Sequence, residues 1–382
     1  MFSWYDQNDK QDFLKNFPAD TASPFPQQGV VIEDYQGEKF GTDLKLTHDL
    51  TDDLDFNGGL VYEWFKTSPF LFLQPDEPAL TSASPWTDEY TTNEKAVYGK
   101  FTYSFTDDFT ANAGARFADN SQFGSQVAYN AGSVYTFTDR WTGKLLYGHA
   151  YRAPSFFEKR VDAGPLQGLA FGNSAGSFEP ETIDNIDLLM MYEQGNHLVQ
   201  ANPFYIESNN KIGRRPPKPG EGISAPLTYD NLSGDEITGL TLSYQGVFDQ
   251  HTVEFDLTQQ SGEATDTGQD IEGIAELTAL AEYNYEFTKP DVNANLFLKH
   301  VGDRDLTVDP AGEPARDETV SSYNLLDANV TWNGLGPNSS LSLKGTNLLD
   351  EDYSYPEDIR KNIKSIPGGP GRSYFITLTQ TF

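Results

Sequence analysis

The stretch Gly371 to Phe382 alternates without a break. Arg372, Tyr374, Ile376, Leu378, Gln380 and Phe382 fall on one face of a strand, and Ser373, Phe375, Thr377, Thr379 and Thr381 on the other. One face is mostly apolar and the other mostly hydroxyl. In a soluble sheet the apolar face turns into a core. In an outer-membrane barrel the sense is inverted, so that apolar residues meet lipid and hydroxyls meet a wet lumen. A segment that ends on an aromatic carboxylate fits the second arrangement, and it reads as the closing strand of a transmembrane β-barrel.

The same alternation runs through the chain. Val97, Gly99, Phe101, Tyr103 and Phe105 oppose Tyr98, Lys100, Thr102 and Ser104, and Ala279, Ala281, Tyr283, Tyr285 and Phe287 oppose Glu282, Asn284 and Glu286. Leu326, Ala328, Val330 and Trp332 oppose Asp327, Asn329 and Thr331, while Leu341 and Leu343 oppose Ser340, Ser342 and Lys344. The polar faces carry charge and amide as well as hydroxyl, which calls for a hydrated lumen.

Seven tight turns punctuate these segments, at Leu50–Leu54, Phe105–Phe109, Phe137–Trp141, Glu193–Asn196, Gly246–Gln250, Phe287–Asp291 and Asn333–Asn338. Each is short enough for a hairpin end. Phe105 with Phe109 and Phe137 with Trp141 flank two of them, where an interfacial aromatic girdle belongs. Between the turns lie long stretches rich in Pro, Gly, Asn and acidic residues, at about Asp6–Gly37, Thr67–Asn93, Arg152–Glu181, Glu207–Tyr229, Gly262–Glu272, Gly302–Thr319 and Asp350–Gly371. Short turns alternating with long loops are the asymmetry of outer-membrane barrels, periplasmic on one side and extracellular on the other. Two strands per turn, the terminal strand and one near Phe2–Tyr5 give roughly fifteen or sixteen strands. The fold expected is therefore all-β, a transmembrane antiparallel barrel filling residues 1–382.

Composition agrees. Hydrophobic residues make up 37% of the 382, below the roughly 45–50% of soluble domains, while aromatics reach 13% with 20 Tyr and 26 Phe. Apolar runs such as Phe70–Leu73 and Leu188–Met191 fall far short of the roughly 18 residues of a membrane helix. The formal charge of −31 argues against nucleic acid as a partner, because phosphate neutralisation needs clustered Lys and Arg. It suits solvated loops, or collection of cations at a pore mouth. The chain has no Cys, which removes thiolate chemistry and disulfides. Met1-Phe2-Ser3-Trp4-Tyr5-Asp6 has neither the basic start nor the apolar stretch of a secretory signal. The expectation is an internal piece of a longer gene product.

Catalysis finds little support. His48, His149, His197, His251 and His300 are isolated, with no pair at metal-ligand spacing. Asp303-Arg304-Asp305 and Asp350-Glu351-Asp352 lack the order of a calcium loop, and Ser155 lacks a hydrolase elbow. No enzyme, cofactor or resident metal is expected.

The segment Tyr147-Gly148-His149-Ala150-Tyr151-Arg152-Ala153-Pro154-Ser155-Phe156-Phe157-Glu158, then Phe178-Glu179-Pro180-Glu181-Thr182, resembles the mid-barrel of TonB-dependent outer-membrane receptors. Tyr229-Asp230-Asn231 with Gly239, and Lys344-Gly345-Thr346-Asn347-Leu348-Leu349-Asp350 with Tyr353 and Pro370-Gly371-Arg372, extend the resemblance in order. It covers at least Tyr147 to Phe382. The resemblance implies a 22-stranded barrel holding an N-terminal plug; here the plug and about six strands would be missing. It also implies an outer-membrane receptor bathed in lipid and energised through TonB by way of the missing N-terminal region. Such a receptor takes up a scarce small molecule: a ferric siderophore by family frequency, otherwise cobalamin, haem or an oligosaccharide. Arg152 and Glu158 are the candidates for contact with plug or ligand across the lumen, or else pair with neighbouring barrel charges; Asn347 is expected to satisfy loop backbone. A passive porin of about this strand number is the alternative function, and an outer-membrane enzyme a more distant one.

Overall fold

A computed structural model describes residues 2–16, 28–68, 71–73, 89–155, 158, 179–215, 228–308, 316–336, 338–356 and 368–381. In chain order the strands are β1 (Phe2–Asn16), β2 (Gln28–Thr51), β3 (Leu54–Thr67), β4 (Leu71–Leu73), β5 (Tyr90–Thr106), β6 (Phe109–Asn120), β7 (Gly124–Thr138) and β8 (Trp141–Arg152). Then come β9 (Glu181–Gln194), β10 (His197–Asn209), β11 (Ile212–Arg215), β12 (Thr228–Asn231), β13 (Asp235–Phe248), β14 (His251–Ala264), β15 (Leu277–Phe287) and β16 (Val292–Val301). The last are β17 (Arg304–Val308), β18 (Arg316–Val320), β19 (Tyr323–Gly336), β20 (Ser339–Thr346) and β21 (Ser373–Gln380). The main sheet has 17 strands, one of them the three-residue β4; the other sixteen form an antiparallel meander. The small hairpins β11–β12 and β17–β18 stand apart at the loop end. Among the described residues β1 pairs only with β2, and β21 only with β20.

All seven expected turns connect neighbouring strands of the meander. Part of the loop reading is corrected. Phe2–Asn16 is not a short strand running into a loop at Asp6; it pairs with β2 from Phe2↔Thr42 to Asn16↔Gln28. The stretches Glu207–Tyr229 and Gly302–Thr319 likewise hold β11 and the β17–β18 hairpin. At 24 residues, β2 far exceeds the roughly 9–11 needed to span a bilayer.

Register fixes two faces. Leu341 pairs with Leu378 and Leu343 with Ile376 on the outside, while Ser342 pairs with Thr377 within. Ile376 is 77% exposed and Leu378 66%. Such a band of bare Leu, Val and Phe in water would be an aggregation surface, so lipid must cover it. At the turn end the outward aromatics meet across strands: Phe105 stacks on Phe109 at 5.1 Å and Phe109 meets Tyr135 at 6.0 Å. Trp141 meets Tyr192 at 4.9 Å and His197 meets Phe248 at 4.6 Å, continuing the girdle. The closest approach to a dry core lies at the loop end, where Val301, Tyr323 and Tyr353 pack with Ala275 and Leu325.

Candidate functional site

The strand exits at the loop end are tied by charge and amide. Pro154 has no N–H for a ladder, and β8 ends two residues before it, at Arg152. Arg152 Nε donates to Glu181 Oε2 at 2.5 Å and Nη2 to Glu181 Oε1 at 2.7 Å. Its Nη1 and Nη2 also reach Glu158 Oε2 and Oε1, both at 3.1 Å. Glu158 in turn accepts the Ser155 N–H at 2.7 Å, and Ser155 Oγ accepts the Glu158 N–H at 3.2 Å. Glu181 Oε1 accepts the Ile212 N–H at 2.5 Å, bringing β11 into the cluster. The two residues singled out from sequence therefore share one ion cluster, joined by a carboxylate from the Pro180-Glu181 motif. Phe156, Phe157 and Phe178 of these motifs lie outside the described residues.

A second clasp sits beside it. Asn231 Oδ1 accepts the Glu179 N–H at 2.7 Å, and Asn231 Nδ2 donates to the carbonyls of Glu179 and Asn210 at 3.0 and 2.7 Å. Lys211 pairs with Asp235, and Arg215 Nε donates to Asp230 Oδ2 at 2.6 Å. Gly239 of the same motif lies under the Phe204 ring, where an added Cβ would meet Cζ at 2.4 Å. A third clasp centres on Asn347. It takes the left-handed conformation at φ 48° and is 4% exposed. Its Nδ2 donates to the carbonyls of Glu351 and Pro370 at 2.9 and 3.1 Å, its Oδ1 accepts the Glu351 N–H at 2.9 Å, and its own N–H donates to Asp327 Oδ1 at 2.9 Å. Asn347 thus satisfies loop backbone, as its sequence setting suggests. Beside it, burial and the Tyr355 hydroxyl push the Tyr353 phenol up to about 12, so it stays neutral and accepts a hydrogen bond from the Tyr355 hydroxyl at 3.2 Å.

The lumen wall divides into two sectors. On β2 to β6 charges are matched: Lys39 Nζ lies 2.8 Å from Glu63 and Arg116 Nη2 lies 2.7 Å from Glu94. Below the loop-end clasps on β9 to β16, three carboxylates are held by amides instead. Asp187 accepts from Asn185 and Asn202 at 2.8 and 3.3 Å, Glu254 from Gln245 at 2.8 Å, and Glu282 from Asn295 at 2.5 Å. Glu254 and Glu282 stand directly opposite in the β14–β15 register, a like-charge pairing that destabilises a sheet unless a cation relieves it. Among the described residues no ion pair reaches either. Sequence reading found Glu282 and Glu286 on the wet face but missed this pairing. Only the register brings Glu254 opposite Glu282.

The family model described as TonB dependent receptor-like, beta-barrel matches residues 2–348. Among curated proteins, the vitamin B12 transporter BtuB of Vibrio cholerae is 24% identical over 245 residues, covering 63% of this chain and 36% of the relative. The iron-regulated outer membrane virulence protein of Vibrio cholerae is 23% identical over 282 residues, covering 67% of this chain and 40% of that protein. The chain thus spans about two fifths of these relatives. Among solved structures, a ferric enterobactin receptor (PfeA) mutant from Pseudomonas aeruginosa superposes with a TM-score of 0.76 at 14% identity, covering 100% of this chain and 59% of that one. The siderophore receptor PirA of Acinetobacter baumannii gives 0.71 at 16% identity, covering 99% and 59%. At such identities the likeness is one of fold.

Proposed function

The chain belongs to the TonB-dependent receptor β-barrel family, and from that premise we propose that it forms most of the wall of an outer-membrane importer. The complete receptor binds a scarce ligand at its loop end and upper lumen, and passes it inward when a lumen-filling plug moves under energy delivered by TonB. The ligand is a metal chelate or cofactor of siderophore or corrinoid size. A ferric siderophore remains the default, in keeping with relatives named for iron, siderophore and vitamin B12.

The observation that carries this reading over a passive pore is the amide-held acidic sector. Glu254 faces Glu282 with no ion pair to either among the described residues, although Lys344 lines the same recess as Glu282, and a cation-bearing plug in the lumen would relieve the remaining repulsion. The singly paired edges of β1 and β21 would be met by further strands of the same receptor, since unpaired ladder groups are not left open within a membrane.

The test is ligand uptake by cells carrying the full gene product, with and without TonB and with and without a protonophore. Uptake that stops in both treatments is the expected result. Uptake indifferent to both, together with open-channel conductance in planar bilayers, would make the protein a porin.

A further inference from the structure

The outward face changes chemistry as it nears the turns. Among the described residues, the outward positions closest to the turns on the spanning strands from β2 to β21 carry no Asp, Glu, Lys or Arg. Three histidines stand there instead. His48 is exposed, follows Leu44 and Leu46 along the outward row, and pairs with Phe56. His197 opens β10 and His251 opens β14, with Phe248 between them: its ring lies 4.6 Å from His197, and it pairs with His251 in the β13–β14 register. In both, Nδ1 shares a hydrogen bond with a tyrosine hydroxyl, Tyr244 at 3.1 Å and Tyr283 at 2.6 Å. When the hydroxyl donates to Nδ1, the ring proton sits on Nε2. No described residue meets Nε2 of these two rings, so that donor is left for an acceptor outside the chain.

Next to the histidines come the turns, and these are acidic. Asp52, Asp53, Asp107, Asp108, Asp139 and Asp249 are all exposed, and among the described residues no ion pair reaches them. Thr51 Oγ1 accepts the Asp53 N–H and Thr106 Oγ1 accepts the Asp108 N–H, both at 3.3 Å. Hydroxyls therefore help close these turns, and the carboxylates remain in water. Arg140 and Lys289 are the cations set against them in the seven turns.

Outward from the bilayer centre, the rim thus runs from apolar band to imidazole and phenol donors and then to carboxylates. A phospholipid with an amino headgroup runs from acyl chain to phosphate and then to ammonium. The two orders are complementary layer by layer. We propose that the turn-end rim is a docking surface for a zwitterionic aminophospholipid of the facing leaflet. Its phosphate accepts from Nε2 of His197 and His251, and its ammonium meets the turn carboxylates, Asp249 first. An anionic headgroup without an amine finds the same donors but is repelled by the carboxylates beyond them. Each exposed contact is weak, and selection comes from several acting on one lipid. The surface depends on the inverted polarity of the wall alone, whatever passes through the lumen.

The test is native mass spectrometry of the detergent-purified full gene product, incubated with equal amounts of phosphatidylethanolamine and phosphatidylglycerol of matched acyl chains. Phosphatidylethanolamine should be retained about threefold or more over phosphatidylglycerol. His197→Phe with His251→Phe keeps an aromatic girdle but removes both Nε2 donors, and should lower retention of both lipids severalfold. Asp249→Asn with Asp139→Asn keeps the donors, and should narrow the preference by raising retention of phosphatidylglycerol. Heat-modifiable migration on gels reports folding separately and should survive in both double variants. Equal retention of the two lipids by the unaltered protein, or an excess of phosphatidylglycerol, overturns the surface. So does either double variant, folded, behaving as the unaltered protein does.

Discussion

The loop-end clasps and the acidic lumen sector draw on the same side chains, carboxylates with amides, yet balance them differently. Around Arg152 every carboxylate meets a guanidinium or a backbone N–H, and around Asn347 each polar atom has a partner in the chain itself. On β14 and β15 the carboxylates of Glu254 and Glu282 meet only amides and each other's charge. The first kind of region is complete as it stands and fixes where strands leave the wall. On the proposed reading the second is completed by a positive group in the lumen. The two regions thus differ in charge balance, the first pairing its carboxylates with cations and backbone N–H groups, the second with amides alone.

Substitutions probe this contrast, beginning with the largest expected effect. Asn347→Ala removes three side-chain hydrogen bonds and puts a less tolerant residue in a left-handed conformation, so it should cost about 3 kcal/mol. The check is the urea midpoint of the folded barrel, with faster protease cleavage in the loop after β20. Arg152→Ala should cost about 1–3 kcal/mol by stranding Glu158 and Glu181, the lower part of that range being favoured because the Arg152 side chain is 47% exposed. Arg152→Lys should recover only part, since one ammonium cannot serve two carboxylates bidentately. Glu254→Gln should move stability by about 0.5 kcal/mol or less, in the stabilising direction when the lumen is empty, because it relieves the charge facing Glu282. In the complete receptor the same change should loosen the plug, seen as new conductance in bilayers. A destabilisation by Glu254→Gln equal to that of Arg152→Ala, in a chain with an empty lumen, would erase the distinction between the two regions.

Much of the wall was legible in the sequence because one physical rule writes it. Each spanning strand must alternate, and each periplasmic turn is short, so Asp107-Asp108 or Gly195-Asn196 marks a hairpin unaided. The rule lapses above the bilayer. Phe2–Asn16 and Gln28–Thr42 pair over fifteen positions, but a sequence such as Asp6-Gln7-Asn8-Asp9-Lys10-Gln11-Asp12 is polar on both faces and reads as loop. The hairpin β17–β18 escaped notice because its apolar contact, Leu306 with Val320, joins two short segments that sequence reading left within a loop. Asn347 was readable in part because its exchange with Glu351 is local, although its bonds to Asp327 and Pro370 cross the sheet and the loop. The facing of Glu254 and Glu282 was not, since the two lie on different strands and only the sheet register brings them together.

The central claim is the inverted polarity of the wall, and the chain's lack of cysteine allows it to be tested directly. Single cysteines at the outward positions Phe101 and Leu145 and at the inward positions Lys100 and Asn130, placed by the ladders of β5, β7 and β8, would be labelled in intact outer membranes. Fluorophores at Phe101 and Leu145 should be quenched by nitroxide-bearing lipids and shielded from aqueous iodide, and those at Lys100 and Asn130 should show the reverse. Lipid quenching at Lys100 and Asn130, with iodide reaching Phe101 and Leu145, would contradict the account.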